Sequence, residues 1–283
     1  MIKPDFHLHS TFSDGVLSPA LLVEKAVSAG VTHMAVTDHD TLAGADSLRG
    51  RALPIPVLTG VELSLRDMHG LHLLCYGDAE GGPLRARIAA LAEMRIDRAR
   101  RMVALLTEHG MALDWDALAS GCRGTVGRPH IARALTAAGY VDSVPEAFAK
   151  YLGEGCPCYV PGERLSMAEA LPLARSSGFV PVLAHPALLE KESGALRALL
   201  RAWQRQGLMG VEVYHPAQPV DGYEALLRDV RRLGLLVTGG SDFHQDDDSH
   251  GAIGCMAARW QDAADDVREL LDAVAQAKNF CHI

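Results

Sequence analysis

The histidines of this chain are not scattered. His7 and His9 form a His-x-His pair. On a strand of period two both imidazoles share a face, where they can hold one metal ion. Taken alone, the pair is equally a polar strand end. Asp14 follows in Ser13-Asp14-Gly15, for which ordinary turn chemistry is the plain alternative. Thr37-Asp38-His39-Asp40 crowds three ionisable side chains, which are costly to bury without partners. Gly60-Val61-Glu62 sets a carboxylate among apolar neighbours, where it needs a cation. His72 opens one apolar run, Ala184-His185-Pro186 closes another, and Ser241-Asp242-Phe243-His244 repeats the alternating pair. The full set is His7, His9, Asp14, His39, Glu62, His72, His185, Asp242 and His244. Gathered at one place, such groups would repel or stay unsatisfied, and several divalent cations resolve that. A set of N and O donors without thiolate suits Mn²⁺, Fe²⁺ or Zn²⁺.

These residues meet only if the fold brings them to one rim. Short β-rich runs cover Pro4–Ser10, Val31–Asp38, Pro56–Leu65, Leu71–Gly77, Val180–Pro186, Gly210–Pro216 and Leu235–His244. Helical patterns fit Leu17–Gly30, opened by Ser18-Pro19 and closed by its glycine, and also Gly194–Gly207 and Gly222–Gly234. This alternation predicts an α/β fold with a mainly parallel sheet, open or closed into a barrel. Such folds place their sites at the carboxyl ends of the strands, where every candidate above falls. Only Arg66–Gly70 separates the third run from the fourth, too little for a parallel crossover. An antiparallel hairpin is expected there, with His72 beside Glu62. The long interval from Gly77 to Val180 carries Pro83–His109, Arg128–Ala138, Val144–Leu152 and a Gly/Pro/Cys-rich stretch, Gly153–Gly162. Residues 104–162 are expected to be an inserted helical subdomain, with 1–103 and 163–283 forming the main body.

Composition narrows the partners. The 283 residues are 48% hydrophobic and 22% charged, which excludes a disordered chain. A net charge of −8 fits duplex DNA poorly, since that partner needs a basic footprint. It is compatible with a small phosphorylated substrate held by a few local cations. No apolar run approaches the length of a membrane span, and the N-terminal segment has no signal-like core. A cytoplasmic protein with reduced thiols is expected, its cysteines at 75, 122, 156, 158, 255 and 281. Cys156-Pro157-Cys158 lacks the Cys-x-x-Cys form and reads as structural.

In their order, His7-Leu8-His9-Ser10, Ser13-Asp14-Gly15, Thr37-Asp38-His39-Asp40, Gly60-Val61-Glu62, His72-Leu73-Leu74, Ala184-His185-Pro186 and Ser241-Asp242-Phe243-His244 resemble the motifs of the PHP (polymerase and histidinol phosphatase) family of the amidohydrolase superfamily. The resemblance implies a distorted (β/α)7 barrel, a trinuclear metal site and phosphoesterase activity. It assigns His7, His9, Glu62 and Asp242 to a first metal. Glu62 then bridges to a second, completed by His72 and His185, and Asp14, His39 and His244 hold a third. Some relatives have histidine where Asp14 stands, and the carboxylate makes that site more anionic, in the direction of manganese. The implied nucleophile is a hydroxide held between the metals that Glu62 bridges.

Around the metals, Gly127-Arg128-Pro129-His130 opens a helix whose N-terminus and guanidinium can face an anion together. An exposed arginine on a capped helix is the alternative. The motif, with Lys150-Tyr151-Leu152, resembles the PHP subgroup acting on nucleoside 3′,5′-bisphosphates and short RNA ends, which makes Arg128, His130 and Lys150 candidate substrate contacts. His215, at the end of the sixth run, is another candidate, with support of a metal ligand as the alternative. The arginines at 95, 98 and 101 read as a solvated helix face, and Asp246–Asp248 as a solvated loop. The expected activity is removal of the 3′-phosphate from a nucleoside 3′,5′-bisphosphate such as pAp. The rivals are 5′→3′ exonuclease action on short oligoribonucleotides, histidinol-phosphate hydrolysis, and a non-catalytic PHP module that binds a protein partner.

Overall fold

A computed structural model describes residues 2–77, 81–121, 126–189, 193–219, 222–246 and 251–280. All seven expected strands occur, as β1 (Pro4–Asp5), β2 (His33–Val36), β3 (Val57–Ser64), β4 (His72–Tyr76), β5 (Val180–Leu183), β6 (Gly210–Tyr214) and β7 (Leu236–Gly239). They form one sheet in sequence order. Every pairing is parallel except the two that β4 makes, with β3 and with β5. The hairpin expected from the short connection is therefore present, with Ser64 opposite His72 and Glu62 opposite Leu74. The ring nearly closes where Phe6 N–H donates to Gly239 O at 3.0 Å and Leu8 pairs with Phe243. The result is a distorted seven-stranded barrel. Its strands are shorter than the apolar runs predict, because the rim residues of several have left the ladder and flare toward a common point.

The helices in chain order are α1 (Pro19–Ser28), α2 (Ala43–Asp46), α3 (Pro83–Glu108), α4 (Trp115–Ser120), α5 (Arg128–Ala137), α6 (Val144–Ala147), α7 (Met167–Ser176), α8 (Ser193–Gln206), α9 (Tyr223–Arg232) and α10 (Ala263–Phe280). Ser18 caps α1 through Leu21 N–H, with Pro19 in its first turn. The helix expected over Val144–Leu152 begins as α6 and passes into a π turn over Phe148–Leu152. Helices α7 and α10 were not anticipated, although Ser166 and Glu169 form a capping box at the start of α7.

Two apolar cores matter for the site. The main one lies within and around the barrel and takes Leu84, Ile88 and Leu91 from α3. A second one gathers Ala99, Met102, Val103 and Leu106 of the same helix with Ile131, Leu135, Leu152 and Val160. The change of partner comes between Leu91 and Ala99, inside one continuous helix. Among the described residues no helix is long and apolar enough to cross a membrane. Cys75 and Cys158 are buried free thiols and Cys156 is half-buried, whereas Cys122, Cys281, Asp247 and Asp248 lie outside the described residues.

Candidate metal centre

The barrel rim brings the nine expected ligands together. His7 Nε2 and His9 Nε2 each lie 3.2 Å from Glu62 Oε2, and 3.3 and 3.2 Å from Asp242 Oδ1. All four atoms are buried, and none meets a hydrogen-bond partner. An ion bound tetrahedrally at about 2.0–2.1 Å separates its ligands by about 3.3–3.4 Å. The four orphaned atoms therefore have the spacing of a metal's first shell, and the residues fit the ion. The other Glu62 oxygen faces a second group: Oε1 is 2.9 Å from His72 Nδ1 and 2.9 Å from His185 Nε2. Asp14, His39, His244 and His9 present a third set of donors within 4.8 Å of one another. Asp14 Oδ1 is 3.2 Å from His244 Nε2, and Asp14 Oδ2 is 3.9 Å from His39 Nε2. His39 also turns its Nδ1 to within 3.1 Å of Glu62 Oε2, so its ring stands between groups.

Local backbone shapes this convergence. Among the described residues, three that are not glycine have left-handed φ: Asp40 at 52°, His185 at 27° and Asp242 at 54°. Each is a ligand candidate or its neighbour, and strain of this kind persists only where surrounding contacts enforce it. Asp242 thus breaks the simple alternation expected of the Asp242/His244 pair. His244 Nδ1 donates instead to the Asp242 carbonyl at 2.9 Å, which leaves Nε2 for Asp14. A Cβ on Gly240 would meet His7 N at 2.5 Å, so only glycine lets β7 pass this close to β1. Asp38 is not a ligand: it accepts from Ser10 N–H at 2.7 Å and from the Ser13 hydroxyl at 2.8 Å, shaping the turn that presents Asp14.

The charges interlock. Burial works against the Glu62 carboxylate, but the imidazoles of His39, His7 and His72 hold it well below the usual carboxylate range. Burial likewise opposes the charged form of His7 and His9. Glu212, Asp242 and Glu62 nevertheless raise His7 well above its ordinary value, and Asp242 and Glu62 raise His9 to about 10. His39 goes the other way, pushed down to about 4 by burial and by its histidine neighbours.

A cleft opens above this rim. Its lining takes Asp14, His39 and His72 from the barrel rim, and Arg95, Arg98, Arg128, His130 and Arg164 from the helical region between β4 and β5. Arg128 lies over the rings of Phe148 and Tyr159, with centroids at 5.5 and 5.7 Å, and donates to Leu152 O at 3.4 Å. Arg98 donates to Val160 O and also lies over Tyr159, at 5.6 Å. Burial pushes the Arg98 guanidinium down to about 10, and Arg128, Arg164 and Arg95 add to the effect. Among the described residues, none of Arg98, Arg128 and Arg164 is ion-paired with a carboxylate.

The remaining candidates separate. His130 lines the cleft, with its Nδ1 accepting from Gly127 N–H at 3.1 Å and a further hydrogen bond to the Ser13 backbone. Lys150 is exposed, pairs with Glu146 one turn away and lies off the cleft lining. His215 is 4% exposed and is not part of the cleft lining. Its Nδ1 accepts from Ala217 N–H, and its Nε2 is 3.4 Å from Asp242 Oδ2. The solvated-face reading of the arginine row fails for two of its members. Arg95 pairs with Asp40 and, like Arg98, lines the cleft, while Arg101 is exposed. The signal was present in the spacing. Leu84, Ile88, Leu91, Met102 and Leu106 form one apolar stripe, and positions 95 and 98 fall on it where 101 does not. Arg164 and Glu212 were missed outright. Arg164 sits on a connection without periodicity, and Glu212 is one polar letter in an apolar strand.

Residues 5–280 match the PHP domain. A 5′-3′ exoribonuclease of Haemophilus influenzae is 32% identical over 246 residues, covering 86% of this chain and 90% of that one. A 3′,5′-nucleoside bisphosphate phosphatase of Chromobacterium violaceum is 32% identical over 250 residues, covering 86% and 88%. A solved structure from Bifidobacterium adolescentis, described as a metal-dependent phosphoesterase, superposes with a TM-score of 0.81 at 32% identity, covering 95% of this chain and 96% of that one. The rim of interlocked imidazoles and carboxylates and the match over nearly the whole length lead to one conclusion: the chain belongs to the PHP family of metal-dependent phosphoesterases.

Proposed function

We propose that this phosphoesterase removes the 3′-phosphate of a nucleoside 3′,5′-bisphosphate such as pAp, with three divalent ions, manganese in preference, held by the nine rim residues. The observation that carries this reading is the mixed lining of the cleft: metal-ligand candidates come from the barrel rim, and the helical region adds Arg98, Arg128 and Arg164, none of which has a carboxylate ion pair among the described residues. A monophosphate needs only the rim. A second phosphate, some distance from the reacting one, gives the arginines a partner. Ions bound at the rim supply Lewis acidity and a nucleophile at neutral pH. The chain's own residues do the rest. His7, His9, Glu62 and Asp242 hold one ion, Glu62 shares another with His72 and His185, and Asp14, His39 and His244 hold the third. Arg128, Arg98 and Arg164 clamp the distal phosphate by charge-assisted hydrogen bonds, which orients the ester for attack. His130, tied to Gly127 and Ser13, keeps the helical wall in register with the Asp14 turn.

A second reading, 5′→3′ cleavage of short oligoribonucleotides, is favoured by the row running from Arg95 to Arg98 and out to Arg101, which offers a longer polyanion a path away from the centre. The exoribonuclease relative of Haemophilus influenzae is consistent with it. Phosphate and nucleotide release with Mn²⁺ from pAp, 3′-AMP, 5′-AMP, histidinol phosphate and a short 5′-phosphorylated RNA separates the readings. Preference for pAp is expected. A tenfold advantage for histidinol phosphate overturns the bisphosphate reading, and nucleotide release from the RNA faster than phosphate release from pAp selects the exonuclease.

A further inference from the structure

Glu212 belongs to none of the ligand sets the sequence pointed to. It stands on β6, 1% exposed, and its two carboxylate oxygens have separate partners. Oε1 accepts a hydrogen bond from His7 Nδ1 at 2.9 Å. Oε2 accepts one from the backbone N–H of His185 at 2.8 Å. A neutral imidazole, the form that binds a metal, has its lone pair on Nε2 when it donates from Nδ1. In His7 that is the orphaned atom facing Glu62 and Asp242. His185 has the left-handed φ of 27°, and its Nε2 faces the other Glu62 oxygen. One buried carboxylate therefore touches a ligand of the first group through its ring and a ligand of the second through its backbone.

Glu212 could instead be a ligand itself, since its oxygens lie within 4.8 Å of donor atoms of His7 and His215. The hydrogen bonds argue against that role. Both oxygens are already engaged. His7 offers Glu212 its Nδ1, while its orphaned Nε2 points to the other group, and His215 uses Nδ1 for Ala217 N–H. We infer that Glu212 is a positioning residue of the metal centre, fixing the ring tautomer of His7 and the backbone of His185 and so setting two ion sites at once. The inference rests on the metal-ligand reading above and is independent of the substrate.

Glu212→Gln tests it with almost no change of shape. Its amide oxygen can still accept from His185 N–H, but its NH₂ meets His7 Nδ1 where an oxygen stood. His7 must then carry its proton on Nε2, the metal-facing atom. Competitive chelator titration should show metal affinity reduced by about 10- to 100-fold, while the metal-free variant keeps the wild-type circular dichroism spectrum at 25 °C and still unfolds cooperatively. A variant that binds metal as tightly as wild type overturns the proposal. So does one whose metal-free form has lost the wild-type spectrum and its cooperative transition, since that marks a structural group. A second measurement needs no variant: nitrogen NMR of the histidine rings in zinc-loaded wild type should find His7 protonated at Nδ1 and coordinated at Nε2. Coordination through Nδ1 refutes the role. Wild type that binds no metal would instead sink the metal-ligand reading, so the two failures are distinguishable.

Discussion

The two walls of the cleft handle charge in opposite ways. At the barrel rim, acids and imidazoles alternate within about 3 Å, so each charged group lowers the cost of burying its neighbour. On the helical side, Arg98, Arg128 and Arg164 crowd one another without a carboxylate ion pair among the described residues, and Arg98 and Arg128 are cushioned by aromatic faces and carbonyls. Aromatic faces stabilise a cation only modestly and leave its N–H groups free to donate. The difference teaches what each wall is for. A balanced, buried, strained cluster suits resident ions, and an unbalanced, half-buried one suits an anion that arrives and leaves.

The rim gives the largest expected effect. Glu62 turns a separate carboxylate oxygen to each of two donor groups, so Glu62→Gln should lower bound metal and reduce turnover by at least ~100-fold. Metal analysis beside steady-state kinetics checks this, and full activity at full metal content would break the contrast at its stronger end. On the other wall, Arg128→Ala should reduce kcat/KM for pAp by about 10- to 100-fold, the loss typical of one charge-assisted contact. Hydrolysis of 3′-AMP, which lacks the second phosphate, should barely change. Equal losses on both substrates would move Arg128 to the reacting phosphate or into the fold.

Acidity sharpens the comparison further. Burial disfavours protonated His7 and His9, yet the surrounding carboxylates win, raising His9 to about 10 and His7 well above its usual value. In the metal-free protein both therefore hold protons at neutral pH, and metal binding must expel them. Affinity should rise with pH, about tenfold per unit for each proton displaced. Calorimetry in two buffers of different ionisation heat measures the protons released. A pH-independent affinity between 6 and 8 would mean that the rim is not charge-balanced in this way. The smallest effect is expected at Lys150, which is exposed and paired with Glu146. Lys150→Ala should leave kcat/KM for pAp within about twofold, as for a surface pair of little consequence. A tenfold loss would bring Lys150 back to the substrate.

The same contrast explains what could be read from the letters alone. Strand ends advertise themselves: His7 and His9 close an apolar run, and the five residues before Leu71 force the hairpin that brings His72 to Glu62. Those are short-range facts. Glu212 was hidden because a buried acid in an apolar strand is recognisable only when its partners, His7 and His185, are seen beside it. Arg164 was hidden because a connecting segment has no period to betray its direction. Arg95 and Arg98 were legible but misread, since a three-residue recurrence looks like a wet face until it is compared with the apolar stripe of the same helix. Lys150 shows the opposite limit of the letters: a motif match offered it as a substrate contact, and its exposure and its pair with Glu146, four residues earlier, appear only in the structure.

Helix α3 has a metrical role. Leu91 is the last of its residues in the barrel core and Ala99 the first in the second core, so eight residues, about 12 Å of helical rise, tie one wall of the cleft to the other. A single unbroken helix is stiff over that span, and it carries no proline or glycine between the two anchors. The spacing between the rim ligands and the guanidiniums of the second core is thus set by one continuous helix. On the bisphosphate reading substrates are sorted by the separation of their phosphates, and an inserted helical turn just ahead of Arg98 would carry Arg98 and the second core about 5 Å along the helix relative to the rim.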